Sequence, residues 1–125
     1  MVVYSEGGIM SFENMSDEEI FAIANPIMDN LMDASTEIDH ECYVQDSDDR
    51  MSKIVTKKHL KKVCVNYQAE RGFFAQRTPV AVFKRPDSAA IVWKQYYANV
   101  PGEYVAEMIL VKRDDRYLVD HAMIF

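Results

Sequence analysis

GFFAQRTPVAVFKRPDSAAIVWKQYYANVPGEYVAEMILVKRDDRYLVDHAMIF, residues 72–125, decides the fold. Apolar and polar residues alternate with a period of two through most of this stretch. Three turn signals punctuate it: Arg85-Pro86-Asp87-Ser88, Val100-Pro101-Gly102-Glu103 and Arg113-Asp114-Asp115-Arg116. The pattern predicts four strands, near Phe74 to Lys84, Ala89 to Ala98, Tyr104 to Lys112 and Arg116 to Ile124. The connections are short, so the strands form an antiparallel meander.

Upstream of Gly72 the periodicity becomes helical. Ser16-Asp17-Glu18-Glu19 reads as a capping box, with acidic groups where the helix dipole favours them. Asn25-Pro26 is expected to interrupt that helix and restart a second segment, whose apolar stripe is Ile27, Leu31 and Ala34 with Met28 and Met32 beside them. A third segment carries Tyr43 and Met51. A fourth starts at Thr56 as N-cap and runs through Leu60, Val63, Cys64 and Tyr67 until Gly72 closes it. Residues 1–15, with Gly7-Gly8, read as a flexible arm, and residues 16–125 as a single domain. Helices followed by a meander of strands make an α+β domain, with N-terminal helices packed on one face of a four-stranded antiparallel sheet.

Bulk properties narrow the function classes. A chain of 125 residues buries roughly two-thirds of its unfolded surface and needs no disulfide or metal to fold. The net charge is −6 and the basic residues form no stripe, which argues against nucleic acid as a partner. Lys53, Lys57, Lys58, Lys61 and Lys62 interleave with Ile54, Leu60 and Val63 and read as a solvated helix face. Cys42 and Cys64 are expected to be reduced thiols. No spanning segment or secretory signal is apparent, so a cytoplasmic location and no membrane association are expected.

Simple hairpins would set Trp93 opposite Leu110, Leu110 opposite Val119, and Met108 opposite His121. One face then carries Trp93, Gln95, Tyr97, Ala106, Met108, Leu110, Val119, His121 and Met123. The other carries Val92, Lys94, Tyr96, Val105, Glu107, Ile109, Val111, Leu118, Asp120, Ala122 and Ile124. One layer of helices covers one face only, so the other should expose an apolar patch, most simply covered by a second copy packing sheet to sheet.

Chemistry-bearing residues are few. His121, placed by this register among Met108, Met123 and Tyr97, is the leading acid/base candidate, against the commoner role of a histidine hydrogen-bonded to a neighbour. Asp120, grouped with Glu107, Lys94 and Tyr96, is the second, against the commoner cross-strand ion pair. Tyr43, Tyr67, Trp93, Tyr97, Met108 and Met123 are the candidate lining of a small apolar pocket, against an ordinary core. His40, Glu41, Cys42, His59 and Cys64 lack the spacing of a metal site, and Asp46, Asp48 and Asp49 lack the Gly and closing Glu of a calcium loop. No metal and no cofactor are expected. Phosphate loops and nucleophile elbows are missing from the sequence.

The segment from Ile38 to Gln76, with Asp39, Tyr43, Met51, Leu60 and Gly72, resembles the helical half of nuclear transport factor 2-like (cystatin-like cone, SnoaL-like) domains. It is similar in particular to bacterial domains of unknown function. Arg116-Tyr117-Leu118-Val119-Asp120-His121 resembles the closing strand. The resemblance spans about residues 20–125 and implies a cone, in which a curved sheet wraps over the helices. It also implies a choice of roles, since the same cone serves as isomerase, dehydratase, polyketide cyclase, transport adaptor or oligomerisation module. The resulting expectation is a non-catalytic ligand-binding or homo-oligomerisation module. The alternative is a cofactor-independent enzyme using His121 or Asp120, with Tyr43 or Tyr97 donating to a substrate oxygen.

Overall fold

The computed structural model describes residues 11–125. The first ten residues of the arm read from the sequence lie outside the described residues. Of its last five, Phe12 and Met15 are buried while Glu13 and Asn14 are exposed: Phe12–Asn14 form one 3₁₀ turn, and Phe12 is 2% exposed with its ring edge-on to Tyr117.

Helix α1 spans Asp17–Glu37. Its capping box is formed in both directions, Glu19 N–H donating to Ser16 Oγ at 3.1 Å and Ser16 N–H to Glu19 Oε1 at 2.8 Å. Contrary to the expectation from Asn25-Pro26, the helix runs through Pro26 without a break. A proline inside a helix costs about 3 kcal/mol. Ile20, Ala24, Met28 and Leu31 are all buried along one stripe, and each large apolar side chain returns about 1.5–3 kcal/mol on burial, so a continuous helix wins. Asn25 is held inside that helix by a tertiary contact, its Oδ1 accepting from Trp93 Nε1 at 2.8 Å.

The expected third segment is two short helices, α2 (His40–Tyr43) and α3 (Asp49–Ile54), capped by Asp39 and Asp48. Helix α4 (Lys57–Arg71) begins at Thr56, whose Oγ1 accepts from His59 N–H, and ends at Gly72.

Strands β1 (Phe74–Lys84), β2 (Ser88–Tyr97), β3 (Tyr104–Arg113) and β4 (Arg116–Ile124) form an antiparallel sheet in the order β1-β2-β3-β4. Strict alternation along β2 buries Ala89, Ile91, Trp93, Gln95 and Tyr97 against the helices. The main core joins this face to Phe12, Ile20, Met28, Leu31, Met51, Met108, Leu110 and Val119. A smaller cluster of Leu60, Cys64, Tyr67 and Tyr97 lies under α4.

In the β2–β3 and β3–β4 pairs the register departs from that of simple hairpins. Trp93 faces Ala106 rather than Leu110, because the β2–β3 hairpin is centred on residues 99–100 rather than on Pro101-Gly102. In β4, Val119 does pair with Leu110, but the next pair is His121 with Ile109, which leaves Asp120 as an extra residue. That bulge exchanges the faces beyond it. Ala122 pairs with Met108 and turns toward the core, while His121 and Met123 join Glu107 and Ile109 on the face without helices. The uncovered face is apolar in large part, with Phe83 59% and Met123 51% exposed around half-buried Val92 and Ile109.

Both edges of the sheet are irregular. Strand β1 carries bulges between Phe74 and Arg77 and between Pro79 and Ala81, and Gln95 Nε2 donates to the carbonyls of Ala75 and Gln76 that the first bulge displaces. The outer edge of β4 is occupied by the α2–α3 connection: Asp48 N–H donates to Val119 O, and Val119 N–H to Asp46 O. Arg50 clamps the bulge itself through Nε and Nη2 to the Asp120 carboxylate at 3.0 and 3.1 Å. That guanidinium, with Asp48 as second contributor, holds the Asp120 carboxyl below the usual carboxylate range, whereas burial pushes Asp48 up.

Two outcomes follow from these contacts. Gly72 has φ +84°, and a Cβ there would meet Asn99 Nδ2 at 2.6 Å, so Gly72→Ala should cost about 1–3 kcal/mol in urea unfolding. A lowered carboxylate pKa contributes stability that is present above the unfolded value and lost as pH falls through the folded one. Arg50→Leu should therefore be less stable than the parent at pH 6, and the gap should narrow below about pH 4. Urea titrations at pH 6, 4 and 3 that show a constant gap would count against the clamp.

Candidate functional site

A cavity of about 420 Å³ opens between α1, α2, α4 and the ends of β2 and β4. Helix α1 supplies Met28, Leu31, Met32 and Ser35, because these positions recur on the stripe that faces the sheet. Helix α4 supplies His59, Leu60, Val63, Tyr67 and Arg71 at the same helical spacing. The floor is Phe74, Tyr97, Ala122 and Ile124, and Ala122 and Ile124 face inward only because of the Asp120 bulge. Such a volume lies within the range of small-molecule sites.

Its polar groups are tied down unequally. Ser35 Oγ is 2.8 Å from Tyr67 Oη and 3.2 Å from Cys64 Sγ, and Tyr67 Oη also accepts from Gln68 Nε2 at 3.4 Å. Burial pushes the Cys64 thiol up, so it is protonated and unreactive near neutral pH. Arg71 Nη1 donates to Tyr97 Oη at 3.3 Å, and its guanidinium carbon lies 5.2 and 5.3 Å from the ring centroids of Tyr97 and Tyr104. Tyr97, Tyr67, Phe74 and Tyr104 form a contiguous aromatic cluster with centroids 4.8 to 6.1 Å apart. Tyr43 makes no hydrogen bond through its hydroxyl among the described residues, and burial pushes its pKa up to about 12.

The residues singled out from the sequence fall into three groups. Tyr43, Tyr67, Tyr97 and Met123 border the cavity. Trp93 and Met108 do not: they are 1% and 0% exposed inside the main core, so their place in the lining is corrected to packing. His121 and Asp120 are not in the cavity either. His121 Nε2 lies 2.6 Å from Glu107 Oε2 on the uncovered face, giving it a carboxylate partner that the hairpin register did not supply. Asp120 is bound to Arg50 at the sheet edge, and its expected neighbours are engaged elsewhere: Lys94 and Tyr96 with Glu103, and Glu107 with His121.

Among the described residues no three His, Cys, Asp or Glu side chains converge to hold a metal ion. His40 Nε2 is instead 2.7 Å from Val55 O and ties α2 to the start of α4. No described helix is long and apolar enough to cross a membrane. The sequence reading singled out neither Arg71 nor Ser35; Ser35 lies four residues past Leu31 on the stripe that begins at Ile27, and that spacing is the signal that could have found it.

No protein-family model matches the sequence, and no curated protein matches it. Solved structures do match in shape. A designed protein of the nuclear transport factor 2 type shares 14% identity over 87% of this chain and 100% of its own, with a TM-score of 0.58. A SEC-C motif containing protein from Rhodopseudomonas palustris shares 11% over 83% and 90%, with a TM-score of 0.54. A nuclear transport factor 2-like protein of unknown function from Shewanella oneidensis shares 12% over 84% and 98%, with a TM-score of 0.50. The element order, the helix-covered antiparallel sheet and these likenesses together show that the chain has the nuclear transport factor 2-like fold.

Proposed function

We propose that the protein is a non-catalytic binding module that takes a small, largely apolar ligand in the cavity between its helices and sheet and assembles as a homodimer through the uncovered sheet face. One observation carries the ligand reading. The cavity is walled mainly by Met, Leu, Val and aromatic side chains, the two candidate acid/base residues His121 and Asp120 both lie outside it, and His59 in its lining is exposed with no carboxylate bound to its ring among the described residues. Polar groups that line it make or offer hydrogen bonds. Tyr43, whose hydroxyl makes no hydrogen bond among the described residues, suits a donor to a ligand oxygen.

The dimer reading is supported by the exposed apolar surface of Phe83 and Met123 around Val92 and Ile109, which a single helical layer leaves uncovered. An isologous sheet-to-sheet contact would bury it, together with the His121–Glu107 pair.

The cavity is tested by filling it. Nile red, a neutral dye, should gain fluorescence with the parent protein, and Ala122→Phe, which projects a ring from the floor, should remove that gain without loss of helical circular dichroism. A dye response untouched by Ala122→Phe would place the binding elsewhere. The assembly is tested separately by sedimentation: Ile109→Lys should convert a dimer into a folded monomer, and a parent protein that is already monomeric at every concentration would refute it.

A further inference from the structure

The hydrogen-bond balance of the cavity defines the ligand more narrowly. Ser35 and Tyr67 satisfy one another and take Cys64 and Gln68 as further partners. What remains is one-sided. Tyr43 has an O–H with no partner among the described residues. Tyr97 already accepts from Arg71, so its own proton is unused. Arg71 has five N–H groups, and its side chain makes only that one hydrogen bond among the described residues. His59, exposed at the rim, can donate or accept, but the unused groups deeper in the cavity are donors, and a ligand that satisfies them must bring acceptor oxygens.

Charge points the same way. Arg71 is half-buried, and among the described residues no carboxylate lies within 4.0 Å of it. The faces of Tyr97 and Tyr104 replace only part of the hydration that a cation loses on burial. Helix α4 also presents Lys57, Lys58, Lys61 and Lys62 to solvent, so the helix that holds Arg71 is net positive within a chain whose net charge is −6. The α1 wall is apolar apart from Ser35, formed by Met28, Leu31 and Met32.

Resting on the ligand-binding reading above, we propose that the occupant is an amphiphilic monocarboxylate, its carboxylate bound by Arg71 and the Tyr97 hydroxyl and its alkyl or aryl body lying along α1. A guanidinium takes a carboxylate in a two-pronged hydrogen bond, and the Tyr97 proton meets a remaining lone pair. Tyr43, protonated up to about pH 12, supplies a further donor to a polar substituent on the body of the ligand.

Octanoate and 1-octanol, which share a chain and differ in charge, test this by isothermal titration calorimetry on the full chain. Octanoate should bind about tenfold or more tightly than octanol. Arg71→Met should bring the ratio of the two affinities toward one, and Arg71→Lys, which keeps the charge, should preserve part of the preference. Octanol binding as tightly as octanoate to the parent protein would overturn the carboxylate while leaving the cavity reading intact. Binding of neither would overturn both. The comparison on the parent protein decides the matter even if the Arg71 variants fold poorly.

Discussion

Asp120 has no partner on β3, and the arrangement of both sheet faces beyond it follows from that one extra residue. Side chains alternate strictly along a strand, so a single inserted residue exchanges inside for outside for everything downstream. Ala122 and Ile124 turn inward, where small and medium side chains leave room beneath α1 and α4. His121 and Met123 turn outward. The bulge is held from two sides, by the Arg50 guanidinium on the carboxylate and by the backbone of residues 46–48 on Val119, so it is an anchored feature of the fold. Without it, the floor of the cavity would be His121 and Met123, and the site would have a different chemistry.

Much of the architecture was legible because it depends on local signals. The strands at Phe74–Lys84 and Arg116–Ile124, the Ser16 capping box and the Thr56 cap are each set by a few adjacent residues whose physics does not wait for the rest of the chain. The features that escaped are decided by partners distant in sequence. Pro26 stays helical because α1 buries a stripe on the sheet and Trp93 reaches Asn25, neither of which can be seen from the Asn-Pro pair alone. The Asp120 bulge depends on Arg50, seventy residues earlier, and a period-two reading has no means of registering one unpaired residue. Tyr43, Tyr67 and Tyr97 were legible as cavity candidates from their residue type. Trp93 and Met108 were misplaced because a large apolar side chain suits a core as well as a cavity. Arg71 was missed because a basic residue in the last turn of a helix already has a local explanation in the helix dipole.

The cavity and the uncovered face meet at the end of β4. Met123 borders the cavity and is also half-exposed on the open side, next to Glu107 and His121. A partner laid on that face would touch a wall of the cavity, and an occupant of the cavity would touch a residue of the interface. Fold likeness at 11–14% identity carries neither activity nor ligand, so the chemistry has to be argued from side chains such as these.

The two irregular edges of the sheet restrict how copies of this protein can meet. A free strand edge invites another strand to add in line, and repeated addition leads to open-ended fibres. Here the rim at β4 is already occupied by residues 46–48, and the rim at β1 is broken by Pro79 and two bulges, with no N–H to give at the proline. Strand addition is disfavoured at both rims, so the homodimer proposed above would close face to face on the sheet and leave no edge for a third copy. Pairing of that kind would cover the apolar surface in a finite assembly, where strand addition would build an open-ended one.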